Sequence, residues 1–141
     1  MGRINGGRLI VGGLVAAVVI FIFHMIFHAI WGERAMAAFD AILIHPVMIT
    51  QMARISAVVL FLVEGYLFVW LYVVARPRLG AGPATALKIG VVAGVLTFMV
   101  PNLWLVAITG VNPQISWIDG MWGVVSAIVA TLAGAAIYQE T

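Results

Sequence analysis

The sequence predicts an all-α fold, a polytopic membrane protein with four transmembrane helices in an antiparallel bundle and an interfacial helix in the first outer loop. Three observations lead there. Hydrophobic residues make up 65% of the 141-residue chain and charged residues only 9%, far below the quarter that is usual in soluble domains. The mean hydropathy is +1.18. Four apolar runs, 9–31, 55–74, 87–108 and 118–138, each supply the roughly twenty residues that a helix needs to cross a bilayer core. The length fits a single domain, taken as 1–141.

The first run, Leu9 to Trp31, follows Arg3 and Arg8. A signal peptide also has a basic start, and Ala35-Met36-Ala37 offers a small-residue triplet. Its apolar core is only about 7 to 15 residues, however, so the longer run here reads as a retained first helix. The outer connection, 32–54, is long and still largely apolar. Met36, Phe39, Ile42 and Leu43 fall along one side of a short helix, Glu33, Arg34 and Asp40 lie off that stripe, and Pro46 ends it, which is the pattern of an interfacial helix.

The second run, Ile55 to Val74, carries one acid, Glu64, at its middle. A central acid costs about 3 kcal/mol on insertion scales, and the Ile, Val, Leu and Phe residues of this run return roughly 6 by the same measure. Insertion therefore proceeds with Glu64 present. The next loop, Ala75 to Ala84, holds two prolines and two glycines and predicts a tight turn, with Pro83 opening the third helix. Within the third run, Pro101-Asn102 predicts a kink that frees a carbonyl, the kind of break that can line a cavity. The fourth run closes at Tyr138.

Charge gives the orientation. Arg3, Arg8, Arg76, Arg78 and Lys88 fall on one side, and Arg34 and Arg54 on the other. The positive-inside rule then places both termini in the cytoplasm and the first and third loops outside a bacterial inner membrane. Trp31, Trp104, Trp117 and Trp122 fall near the outer boundary and Trp70, Tyr72 and Tyr138 near the inner, as aromatic belts do. Small residues mark close helix approach: Gly12 and Ala16 on the first run, Gly90 and Gly94 on the third, Ala130 and Gly134 on the fourth. A faint echo links the halves, since His24 follows Gly12 by the interval at which Asn102 follows Gly90. A two-helix repeat and chance account for it equally well.

Polar residues concentrate in the outer half. His24 lies eight residues before Gly32 and Glu64 ten after Arg54, so both sit roughly 12 to 15 Å below the outer surface. His28 stacks one turn above His24. Glu64, His24, His28 and Asn102 form the candidate cluster, whose simplest role is hydrogen bonding between helices, and Asp119 lies in the same outer half at the rim. The His-x-x-x-His spacing also suits a metal site if Glu64 adds a carboxylate. An intramolecular bis-histidine haem is disfavoured, because His45 is the only other histidine and lies in a loop. A pigment or haem held through His24 or His28 alone is a third role.

With no cysteine, disulfides and thiolate chemistry are excluded. No P-loop, dinucleotide or zinc-protease motif occurs, and neither Ser56 nor Ser126 has a histidine in register, so no enzyme is expected. The net charge of +2 and pI near 9.5 read as topology signals rather than nucleic-acid affinity. These features predict a non-catalytic accessory subunit of a larger inner-membrane complex, bound to lipid and to other integral membrane subunits. The alternative is a small proton-coupled transporter using Glu64 and His24.

Three stretches carry a resemblance: Gly7-Arg-Leu-Ile-Val-Gly-Gly13, Val69-Trp-Leu-Tyr72, and Arg76-Pro-Arg-Leu-Gly-Ala-Gly-Pro-Ala-Thr-Ala86. With them the chain resembles a group of small, uncharacterised four-helix bacterial membrane proteins. The likeness implies a fold and no activity, and His24, His28 and Glu64 lie outside it. More weakly, the chain resembles accessory subunits of bacterial photosynthetic reaction-centre and light-harvesting assemblies, which implies a bioenergetic partner.

Overall fold

The computed structural model describes residues 4–43 and 50–138. All regular structure among them is helical: α1 (Gly6–Asp40), α2 (Gln51–Leu79), α3 (Pro83–Gly94), a π-helical turn (Val95–Met99), α4 (Val100–Thr109) and α5 (Pro113–Ile137). Taking α3 through α4 as one rod, four helices are long and apolar enough to cross a membrane.

Each spanning helix begins before the apolar stretch that announced it, because caps rather than hydropathy set its start. Asn5 Oδ1 accepts from the Arg8 amide, Thr50 Oγ1 from that of Ala53 and Asn112 Oδ1 from that of Gln114, each satisfying a donor left open in a first turn. Pro83 and Pro113 begin their helices. Gly110, at φ 69°, closes α4 in the left-handed conformation that glycine adopts without strain.

Three differences from the sequence expectations have local causes. First, Gly32–Asp40 continues α1 instead of forming a separate helix. A single glycine costs a helix only about 1 kcal/mol, and the residues after it are good helix formers with no proline among the first nine. His45 and Pro46, the expected stop, lie outside the described residues. Second, α2 runs through Pro77, leaving only 80–82 as a turn. That turn is tied by Gly82 N donating to Tyr72 Oη at 3.2 Å and Thr85 Oγ1 donating to the Leu79 carbonyl at 3.1 Å. Third, the break at Pro101 takes the form of the π turn, in which Val100 N reaches back to the Val95 carbonyl and so widens the ladder ahead of the proline ring.

Packing is densest toward the end that holds Asn5, Tyr138 and the 80–82 turn, here called the terminal end. A Cβ on Gly12 would stand 2.7 Å from the Gly134 carbonyl oxygen, and one on Gly65 would stand 2.5 Å from both Ala17 N and the Gly13 oxygen. Gly90 and Gly94 meet the backbone of α5 at Ile128 and Val124 in the same way. Ala16 and Ala130 are wholly buried. Around these crossings lies the core of Leu9, Ile20, Phe68, Val69, Tyr72 and Val73. Two aromatic residues expected as belt members serve here as ties. Tyr138 Oη accepts from Asn5 N, and Arg76 lies over the Tyr72 and Tyr138 rings at 5.7 and 5.2 Å.

Candidate functional site

The opposite end, where α1 ends, α2 begins and 110–112 joins α4 to α5, is open. Along α2 the inward stripe runs Tyr72, Phe68, Gly65, Phe61, Val58, at the three- and four-residue spacing of one helix face. Tyr72 and Phe68 are 4% and 3% exposed, whereas Val58 is 53% exposed. The reason is lateral: α2 packs on α1, α3 and α5 but reaches no part of 95–109. Toward the loop end α2 and α4 therefore diverge, and α4 contains no buried residue.

Polar side chains line and floor this opening. The His24 and His28 rings meet edge to face with centroids 4.4 Å apart, and His24 also packs on Phe61 at 5.1 Å. Both histidines are exposed. Across from them, Asn102 Nδ2 donates to Asp119 Oδ2 at 3.0 Å and to the Phe98 carbonyl at 3.0 Å. One amide group thus holds an acid and covers a carbonyl of the π turn. His24, His28, Asn102 and Asp119 all border a cavity of about 200 Å³. Phe27, Ser116 and Ile115 form its buried wall, and Ala35 and Phe39, on the extension of α1, border it toward the loop end.

Glu64 does not join this group. It lies on α2 beside the Gly65 crossing, away from the cavity lining, and its Oε2 is buried with no hydrogen-bond partner among the described residues. His24 and Glu64, near in depth when counted from the loops, are kept apart because α2 meets His24 through Phe61, one turn nearer the loop end, and sends no side chain to the cavity. The structure thus brings together His24, His28 and Asn102, adds Asp119, and leaves Glu64 apart.

Chemically, the cavity offers two imidazoles, a carboxylate, an amide and the hydroxyl of Ser116 within apolar walls. Among the described residues no three His, Asp or Glu side chains are grouped to hold a metal ion. Ser116 and Phe27 carried no sequence signal beyond their place on apolar helices. Trp122 was expected in the outer belt, but its Nε1 donates to the Phe23 carbonyl at 2.8 Å, joining α5 to α1 below the cavity. No family model, curated protein or solved structure matches this chain.

Proposed function

We propose that the chain is a non-catalytic accessory subunit of a larger inner-membrane complex, and that a transmembrane helix of another subunit covers the opening between α2 and α4. In this reading four helices cross the bilayer as an antiparallel bundle, the termini lie in the cytoplasm and the loop end faces outward. The 35 residues of α1 rise about 52 Å against a hydrocarbon core of about 30 Å, so its last turns, Gly32–Asp40, extend to the outer interface.

The observation that carries the proposal is the stretch of α2 around Val58, where an inward face continues half uncovered and out of reach of 95–109. Lipid can cover such a face, but the same opening presents His24 and His28, polar groups that hydrocarbon cannot satisfy and a partner helix can. A bioenergetic character for the complex rests on the sequence resemblance alone. Extraction of native membranes in mild detergent should give the chain in one discrete larger complex of fixed composition. Recovery only as a free monomer or homodimer would contradict the proposal.

A second reading, proton-coupled transport, draws on the unpartnered Oε2 of Glu64. It requires Glu64→Gln to abolish flux in liposomes with the fold intact, and unchanged flux removes it. Pigment or haem binding through the exposed His24 or His28 requires a visible absorption band in the natively purified complex, and a featureless spectrum removes it.

A further inference from the structure

We propose that the hollow between the end of α1 and the start of α5 binds the headgroup of an anionic phospholipid, with its phosphate at Arg34 and an acyl chain in the furrow that continues along α5. This rests on the four helices spanning a bilayer and not on the subunit reading.

The head of the site is a hollow of about 640 Å³ at the loop end, within the size of small-ligand clefts. Among the described residues, Arg34 is the one charged side chain in its lining. Glu33 and Asp40, the acids nearest Arg34 in sequence, do not border the hollow, and no described carboxylate pairs with Arg34. A guanidinium donates hydrogen bonds and accepts none, so its partner must bring acceptors and negative charge. The guanidinium fork spans two oxygens of a phosphate, so one side chain holds the head without a converging cage. Asn112 and Gln114 border the hollow from the α5 side. Asn112 Oδ1 accepts from the Gln114 amide, which leaves the Asn112 NH2 for a headgroup oxygen.

The tail follows from where the hollow leads. At Ile118 it meets a second hollow of about 390 Å³, lined by Trp117, Ile118, Met121, Trp122 and Val125. None of these is charged, and Trp122 Nε1 already donates to the Phe23 carbonyl. Gln114, Ile118, Met121 and Val125 recur at the three- and four-residue spacing of one helix face, so head and furrow lie in line. From Gln114 to Val125, α5 rises about 16 Å, close to the roughly 15 Å of hydrocarbon in one leaflet. The cation thus stands at the loop end and the apolar furrow runs inward from it, which is the polarity of a lipid and not of a soluble anion. A lipid of net negative charge, unlike a zwitterionic one, brings no ammonium of its own to oppose Arg34.

The test is native mass spectrometry of the full chain released from nanodiscs of equal phosphatidylglycerol and phosphatidylcholine. One retained phosphatidylglycerol is expected, in roughly 10-fold excess over phosphatidylcholine, as a hydrogen bond between charged groups gives. Arg34→Gln should bring the two lipids to parity; Arg34 is exposed and pairs with no described residue, so the fold does not depend on it. Arg54→Gln, at the same end but outside the hollow, should leave the excess unchanged. Val125→Trp, which fills the furrow, should lower retention while keeping the preference. Glycerol 3-phosphate, a head without chains, should not displace the lipid, and a photo-activatable residue at Gln114 should give lipid adducts in native membranes. Equal retention of the two lipids by the unaltered chain, an unchanged excess in Arg34→Gln, an equal loss in Arg54→Gln, or unchanged retention in Val125→Trp would each overturn the proposal. So would displacement by glycerol 3-phosphate or a discrete protein adduct from position 114.

Discussion

At the terminal end the helices touch backbone to backbone through glycine and alanine, whereas at the loop end large and polar side chains hold them apart. In the first region a Cβ on Gly12, Gly65, Gly90 or Gly94 would run into the main chain of a neighbouring helix. In the second, α4 buries nothing and α2 leaves Val58 half uncovered. Lipid gives no hydrophobic drive for helices to associate, so close van der Waals packing must supply it. The terminal half has that packing and therefore holds the fold. The loop half is joined by a smaller side-chain cluster, Phe27, Ala35 and Ile115 with Trp31 and Trp122 between α1 and α5, and leaves α2 and α4 apart with polar groups accessible, which suits binding.

This contrast orders the expected effects of substitution. The largest is Gly65→Val, because the obstructing atoms are backbone and cannot turn aside; a loss of about 3 kcal/mol is expected from overpacking, read from unfolding in mixed SDS micelles. Asn102→Leu should cost about 2 kcal/mol, since it leaves the Phe98 carbonyl and the Asp119 carboxylate without their donor, and the same titration measures it. Trp122→Phe removes one neutral hydrogen bond to Phe23 and should cost about 1 kcal/mol. Val58→Ala should stay within about 0.5 kcal/mol in the isolated chain, because half of its surface is already uncovered. A large loss there would mean that α2 is packed into a core at the loop half.

Much of the terminal half was legible in the sequence. Gly12, Ala16, Gly90, Gly94, Ala130 and Gly134 stand at small-residue spacing on apolar runs, and all six lie at or beside helix crossings. Gly65, which makes the tightest approach between α1 and α2, has no small partner four residues away on its own helix and gave no such signal. The loop half was less legible because depth counted from loop residues assumes that helices end where hydropathy falls. Asn5, Thr50 and Asn112 start them earlier, and nothing after Gly32 stops α1 before Asp40. Depth also leaves open which face a side chain occupies: Glu64 lies off the cavity lining, while Asn102 and Asp119 meet between α4 and α5. The π turn before Pro101 was legible only as an expected kink, since ring sterics demand a widened ladder or a bend without choosing between them.

The central claim is that the loop half is a binding surface and the terminal half is not. Val58 and Val11 are exposed alike, at 53% and 50%, but lie in opposite halves. A photo-activatable residue placed at each and irradiated in native membranes compares them directly. The account predicts one discrete protein adduct from position 58 and lipid adducts alone from position 11. Lipid adducts alone from both positions, or the same protein adduct from both, would contradict it.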